Sequence, residues 1–182
     1  MDYYAKVDAF WRSVNITDEN KLTYLMEMFE RGVQQSDIDM LEFVVDLAFK
    51  IENQEIRVSA LNQLLLLDGH YQHQMITKEL QYIAHPSSVA IIAKILEQDF
   101  KRFEYTASDD GVIAKWFSHA LADIGTEKAM ELLKLYAQSA NEEIAQEMQY
   151  RLRRIASKQS HNQIKRPEKN VFKKLVNALK KL

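Results

Sequence analysis

The chain has 182 residues, of which 47% are hydrophobic and 27% charged, a composition typical of a folded domain rather than a disordered one. It contains no cysteine, which excludes disulfides, thiolate nucleophiles and cysteine-based zinc sites, and its four glycines and two prolines disfavour a turn-rich β fold. The net charge of −2 is unevenly distributed. Residues 1–144 hold 24 acidic and 13 basic side chains, whereas residues 145–182 hold 2 and 11, so we expect an acidic body and a basic end.

No targeting or membrane-spanning segment is apparent in the sequence. The first residues lack a basic stretch followed by an apolar core, and the most apolar run, 64–67, is far too short to cross a bilayer. We therefore expect a cytoplasmic protein.

Apolar side chains recur at helical spacing along almost the whole chain. The pattern predicts helices over 3–14, 18–32, 37–51, from Asn53 to Asp68, over 72–84, from Pro86 to about Leu96, over 110–124, from Thr126 to about Tyr136, and from Asn141 to about Ile155. The predicted N-caps are Thr17, Ser36, Asn53, Thr126 and Asn141, and Gly32 and Gly125 are predicted to end helices. The segment 100–110 interrupts this pattern with three aromatic residues among charged ones. We expect it to emerge as a loop on a binding face, the alternative being an extension of the preceding helix through Phe103.

One junction between helices occurs three times: a helix ends on isoleucine, a short polar break follows, and the next helix opens with a small or branched apolar residue. The isoleucines are Ile51, Ile83 and Ile124, spaced 32 and 41 residues apart. A period in this range, made of helix pairs, is typical of an α-solenoid. The predicted fold is all-α, a short α-solenoid of antiparallel helix pairs, with a compact helical bundle as the alternative.

The third junction resembles a known family of repeats. In the stretch 120–133, Ala-Leu-Ala-Asp-Ile-Gly leads through Thr-Glu-Lys into Ala-Met-Glu-Leu-Leu, which is similar to the HEAT-like repeats of the phycobilisome-lyase type. The resemblance covers about 116–156 and is weaker over 54–96. The position equivalent to Gly125 is occupied by Glu52 at the first junction and by His85 at the second. It implies a HEAT-like scaffold and assigns no functional residue.

Few residues suggest chemistry. His70 and His73 lie beside Asp68 at a spacing compatible with a metal, but no further ligand is tied to them, and a polar helix start is the alternative. His119 follows Ser118 without an acid at triad-like spacing, which favours a packed histidine over a base. We predict no catalytic residue, no metal site and no cofactor, and therefore a protein that is not an enzyme.

The predicted binding surface is acidic. Asp39, Glu42 and Asp46 fall at i, i+3 and i+7 of one helix and share one face. Acidic grooves with aromatic anchors suit a basic protein partner and repel nucleic acid. The alternative is a solvated face without a partner, and for Trp116 alone, burial in the core. The predicted protein-binding residues are Asp39, Glu42, Phe43, Asp46, Glu79, Tyr82, Asp109, Asp110 and Trp116.

The C-terminal part differs in composition from the body. We predict a HEAT-like repeat domain over 1–156, a polar linker over 157–168 and a basic amphipathic C-terminal helix over 169–182. Lys173, Lys174, Lys180 and Lys181 lie off the apolar stripe of this helix. This last helix is expected to cap the open end of the repeats rather than bind an anionic membrane, although membrane contact is the alternative.

The leading hypothesis is a bacterial immunity protein that binds and neutralises a basic toxin, with a nuclease as the most concrete case. In size, charge and HEAT-like build the chain resembles some immunity proteins of contact-dependent growth inhibition systems. The alternatives are a scaffold or regulatory adaptor, held at a membrane by the basic tail, and a lyase-type chaperone.

Overall fold

The computed structural model describes residues 2–98 and 100–164, and its regular secondary structure there is entirely helical. The all-α prediction is thus confirmed for this part of the chain. The described residues form nine α-helices and one 3₁₀ helix. These are α1 (Tyr3–Ser13), α2 (Asp18–Gln35), α3 (Ile38–Phe49), α4 (Gln54–Leu64), α5 (His73–Ile83), α6 (Ser88–Leu96), the 3₁₀ helix Phe100–Thr106, α7 (Asp110–Ile124), α8 (Glu127–Tyr136) and α9 (Glu142–Ile164).

Local capping chemistry sets several of these boundaries. The Asn53 side chain accepts hydrogen bonds from the amides of Glu55 and Ile56, and Thr126 accepts one from Ala129, as predicted. Gly125 ends α7 in the left-handed region, with φ of 64°, which a residue without Cβ adopts at little cost.

The boundary between α2 and α3 differs from the prediction. Ser36 is not the N-cap of α3; it ends α2 in the left-handed conformation, and Asp37 caps α3 by accepting a hydrogen bond from the Met40 amide at 3.0 Å. Gly32 does not end α2 either. It lies inside the helix, where a Cβ would come within 2.7 Å of Leu41 Cδ2, so its small size permits the close approach of α2 and α3.

The helix α4 is shorter than predicted. It ends at Leu64, and the turn that follows leads to Gly69, whose φ is 99°. Because the last turn of a helix leaves backbone carbonyls without partners, the early end of α4 creates acceptors that the following segment can bind.

Contacts between helices run in two series. The even-numbered helices meet in the order α2, α4, α6 and α8, and among the odd-numbered helices α1 contacts α3, α5 contacts α7, and α7 contacts α9. Successive helices pack across the two series, as α2 does with α3, α4 with α5, and α8 with α9. Each helix therefore buries its apolar stripe against neighbours that are near in sequence, around one continuous core.

The 100–110 segment is packed, not looped out. Phe100 and Phe103 of the 3₁₀ helix are buried, and both rings lie about 6 Å from the ring of Phe117, with centroid distances of 6.2 and 5.9 Å. The expectation of a protruding loop is wrong for the 3₁₀ helix, because its aromatic side chains complete the core beside α7.

The last described helix is longer than predicted. α9 continues through Ile164, so residues 157–164, expected to begin a polar linker, are helical. The rest of that linker and the predicted amphipathic helix over 169–182 lie outside the described residues. Within 2–98 and 100–164, no helix combines the length and the apolar character needed to cross a membrane.

Candidate protein-binding surface

The three carboxylates predicted on α3 lie on one side of that helix but differ in their surroundings. Asp39 is exposed, whereas Glu42 and Asp46 are partly covered. Glu42 Oε1 accepts a hydrogen bond from the Tyr71 amide at 2.6 Å. Asp46 accepts two, one from the Tyr3 hydroxyl at 2.5 Å and one from the Gln72 side-chain amide at 3.2 Å.

These contacts give Glu42 and Asp46 a structural role. They join α3 to the start of α1 and to the turn that precedes α5, across sequence separations of 26 to 43 residues. Burial, reinforced by the hydrogen bond to Asp46, raises the pKa of the Tyr3 hydroxyl above its usual value, so the phenol stays protonated as the donor. All three donors are neutral, and these hydrogen bonds therefore do not cancel the negative charge of α3.

Phe43 is half-buried beside the same carboxylates. Its ring meets those of Tyr3 and Phe10 edge-on, at centroid distances of 6.0 and 5.7 Å. Most of its apolar surface is thus used to hold α1 against α3, and only its rim remains for another molecule.

The two predicted residues of α5 point to different neighbours. Glu79 lies 3.8 Å from the guanidinium of Arg57 on α4, which directs it toward the even-numbered series. Tyr82 is 85% exposed. Of the two, Tyr82 is the one left free for a partner.

Asp109 and Asp110 are used within the fold. Asp109 caps α7 by accepting a hydrogen bond from the Val112 amide at 2.9 Å, and Asp110 accepts one from the Asn141 side chain at 2.5 Å. The negative charge of Asp109 also stabilises the N-terminus of α7 through the helix dipole. Asp110 connects the start of α7 to the segment before α9.

Trp116 lies in a groove between α5 and α7, half-exposed, with its ring packed edge-on against Phe103 at 6.0 Å. The groove has a volume of about 400 Å³. Its other lining residues are Gln74, Thr77, Lys78, Gln81, Val112, Lys115 and His119. This lining carries cations and no carboxylate, so Trp116 does not extend the acidic surface of α3 as expected.

A second, wider groove of about 730 Å³ lies between α7 and α9. It shares Val112 and Lys115 of α7 with the first groove, so the two grooves lie on either side of α7. Its charges are mixed, with Asp109, Glu143 and Glu147 facing Lys115 and Arg153. The odd-numbered helices therefore carry an acidic region on α3, a groove without carboxylates between α5 and α7, and a groove of mixed charge between α7 and α9.

Exposed apolar side chains are concentrated on the same helices, which the sequence patterns did not indicate. Of eleven large hydrophobic side chains exposed in the described residues, only Val33 and Leu135 belong to even-numbered helices. The other nine lie on odd-numbered helices or in the segments leading into them, and we call them the odd-helix surface: Tyr3, Tyr4, Ile38, Tyr71, Met75, Tyr82, Tyr105, Val112 and Tyr150. Periodicity could not find them, because tyrosine fits the core and the surface of a helix equally well.

His73 begins α5, as the alternative of a polar helix start predicted, and both His70 and His73 are buried. Their rings stack at 4.1 Å, and each Nε2 lies 2.9 Å from a backbone carbonyl oxygen: that of Leu64, the last residue of α4, for His70, and that of Leu67, in the turn that follows, for His73. In residues 2–98 and 100–164, no three histidine or carboxylate side chains are grouped as a metal site would need. The two imidazoles act as caps of the α4 end.

His119 is partly exposed beside Trp116, and burial together with the charge of Arg151 lowers the pKa of its imidazole. The adjacent Ser118 is buried and donates a hydrogen bond to Glu147 at 2.6 Å. Ser118 is thereby tied to a carboxylate of α9, and His119 is not among its hydrogen-bond partners within the described residues.

No family model matches the chain, and neither a curated protein nor a solved structure matches it.

Proposed function

We propose that the chain is a protein-binding module that holds its partner on the odd-helix surface. The observation that carries the proposal is the unequal distribution of exposed apolar side chains. All six exposed tyrosines are on that surface, whereas the even-numbered helices have only Val33 and Leu135. Tyrosine provides a large contact area with few rotatable bonds and a polar end, and it is enriched where proteins bind one another.

The architecture we infer is a short HEAT-like solenoid of antiparallel helix pairs. Its support is the pattern of packing, in which even-numbered helices contact even-numbered ones and α5, α7 and α9 contact in turn. In such a stack one series of helices forms an extended surface suited to a large partner, because the outward side chains of that series are not needed to form the core.

The partner that this surface suits is a basic protein. Asp39 is exposed, and the hydrogen bonds to Glu42 and Asp46 come from neutral donors, so no cation offsets the carboxylates that α3 presents beside Tyr3 and Tyr71. Opposite charge accelerates encounter, and the aromatic side chains then contribute most of the affinity. The most specific form of the proposal is an immunity protein that neutralises a basic toxin such as a nuclease.

Affinity capture with matched variants tests this proposal. Asp39→Lys and Tyr82→Ala alter the odd-helix surface, and Glu131→Lys and Leu135→Ala are controls of the same chemistry on α8. We expect the wild-type protein and both controls to retain a basic protein, and the odd-helix variants to lose it by roughly tenfold in affinity. Asp39→Lys should also make binding less sensitive to salt. Equal loss in the controls would contradict the proposal.

A growth assay tests the immunity form separately. Cells that express the captured protein should grow only when the wild-type chain is co-expressed, and Tyr82→Ala should reduce that protection. Capture without any effect on growth would leave a binding module and contradict the immunity form.

A further inference from the structure

The groove between α5 and α7 differs from α3 in the sign of its charge. We propose that this groove binds a carboxylate-bearing peptide segment, so that the protein partner presents an acidic segment to Trp116 and a basic surface to α3. The inference rests on the proposed function, since it assigns a ligand chemistry to part of the same surface.

The lysines of the groove carry this assignment. Lys78 and Lys115 line the groove from opposite sides, on α5 and α7, and neither forms an ion pair with any carboxylate that the structure describes. The lysines near the other tryptophan differ: Lys21 lies 2.6 Å from Asp18, and Lys50 lies 2.6 Å from Asp8. The groove thus has one lysine without a counter-ion on each side. Their positive potential would be neutralised by an acidic ligand.

The remaining lining residues favour the same class of ligand. Gln74 and Gln81 provide side-chain amides, and the Gln81 amide donates to Asp123 at 2.6 Å, at the edge of the groove. Asp123 does not belong to the lining residues of the groove. Lys115 also lines the groove between α7 and α9, where Asp109, Glu143 and Glu147 form no ion pair with it within the described residues.

Trp116 provides the apolar part of the site. Its indole packs on Phe103, which is fully buried, so the ring is held by the core while one face remains open to the groove. A rigid indole flanked by charges is a frequent anchor for a peptide side chain. The volume of about 400 Å³ is within the range of ligand-binding clefts and admits a few side chains of an extended segment.

The two charge signs together would orient the partner. A basic region can approach α3 and an acidic segment can approach α7, whereas the reversed orientation places like charges against each other. The inferred partner is therefore a protein with separated basic and acidic regions.

Nuclear magnetic resonance of the two tryptophan indoles tests this inference without the partner. The chain has two tryptophans, and replacement of Trp116 by phenylalanine assigns their Nε1–H signals. Hexaglutamate, hexalysine and inorganic phosphate are titrated at equal ionic strength into the wild-type protein, into Lys78→Gln/Lys115→Gln, and into the control Lys94→Gln/Lys134→Gln on α6 and α8.

We expect hexaglutamate to shift the Trp116 signal more than the Trp11 signal, and hexalysine to shift neither. The Lys78/Lys115 variant should bind hexaglutamate roughly three- to tenfold more weakly, and the control should match the wild type. A larger response of Trp11, an equal response to phosphate, or an unchanged titration in the Lys78/Lys115 variant would overturn the inference. The proposed function would survive that result, because its own test uses Asp39 and Tyr82, which lie outside the groove.

Discussion

His73 lies with its imidazole ring 4.1 Å from that of His70, and both rings are almost fully buried. Because a carbonyl oxygen only accepts hydrogen bonds, each Nε2 must carry the proton that it donates to Leu64 or Leu67. Each Nδ1 is an acceptor, for the Gln72 amide at His70 and for the Tyr105 hydroxyl at His73. Every ring nitrogen of the two histidines therefore has a hydrogen-bond partner when both rings are neutral. Protonation of either ring would remove an acceptor and place positive charge in the core.

The stability of the protein should therefore fall as the solution becomes acidic. Burial, and then the neighbouring His70, lowers the pKa of His73 to about 3, and burial also lowers the pKa of His70. The unfolded chain takes up a proton on His73 below about pH 6.5 and the folded chain does not, so His73 lowers the free energy of unfolding by roughly 1 kcal/mol per pH unit below pH 6.5. His70 acts in the same direction.

Urea unfolding between pH 7.5 and pH 5 measures this dependence. His73→Gln keeps an Nε2 donor for Leu67 and has no titration, so its stability should depend less on pH than that of the wild type, whereas His161→Gln on the exposed end of α9 should change nothing. The same slope in His73→Gln and the wild type would contradict the neutral pair.

Removal of the Glu147 carboxylate should destabilise the contact between α7 and α9. Glu147 Oε1 accepts hydrogen bonds from Ser118 at 2.6 Å and from Arg151 at 2.9 Å, and Arg151 is itself buried. Glu147→Ala leaves the guanidinium buried without its counter-charge, which costs about 3 kcal/mol. Thermal unfolding should show a large fall in the melting temperature for Glu147→Ala and almost none for Glu131→Gln on α8. A small change in both would mean that solvent replaces the carboxylate.

Replacement of Tyr3 by phenylalanine separates the structural role of Asp46 from a role in binding. Tyr3→Phe keeps the ring contact with Phe43 and removes the hydroxyl that donates to Asp46. We expect a loss of about 1 kcal/mol in the free energy of unfolding. Partner affinity should fall only slightly, because the aromatic ring of Tyr3 stays on the odd-helix surface and only its hydroxyl is lost. A loss of affinity without a loss of stability would instead assign the hydroxyl to the binding site.

Two glycines should respond to alanine in opposite ways. At Gly32 a Cβ would lie 2.7 Å from Leu41 Cδ2, whereas at Gly111 the nearest atoms are 3.6 Å away. Gly32→Ala should lower the free energy of unfolding by about 1–2 kcal/mol, because Leu41 is buried and must move. Gly111→Ala should raise it by about 0.5 kcal/mol through helix propensity. Chemical denaturation of both variants checks the pair, and a stable Gly32→Ala would show that α2 and α3 can separate at no cost.

Features that depend on adjacent residues could be predicted from the sequence. Asn53, Thr126 and Gly125 sit at helix ends as expected, because capping uses a side chain and amides only two or three residues away. The sequence could not distinguish Ser36 from Asp37, because both residue types favour N-caps and the two are adjacent. In the structure Ser36 adopts the left-handed conformation that ends α2, and Asp37 caps α3.

Features that depend on distant contacts could not be predicted. The burial of Phe103 requires Phe117, the hydrogen bonds of Glu42 and Asp46 come from Tyr71, Gln72 and Tyr3, and the burial of His70 follows from the end of α4. The spacing of Asp39, Glu42 and Asp46 correctly predicted a shared helix face. It could not indicate that two of these carboxylates would hold neighbouring segments.

Site-specific photo-crosslinking tests the odd-helix surface most directly. A benzophenone side chain is placed at Tyr71, Tyr82, Val33 or Leu135, four positions with exposures of 55%, 85%, 53% and 64%. With the captured partner present, irradiation should give strong crosslinks from Tyr71 and Tyr82 and weak ones from Val33 and Leu135. Equal crosslinking from all four positions, or stronger crosslinking from Val33 and Leu135, would contradict the proposal that the odd-numbered helices bind the partner.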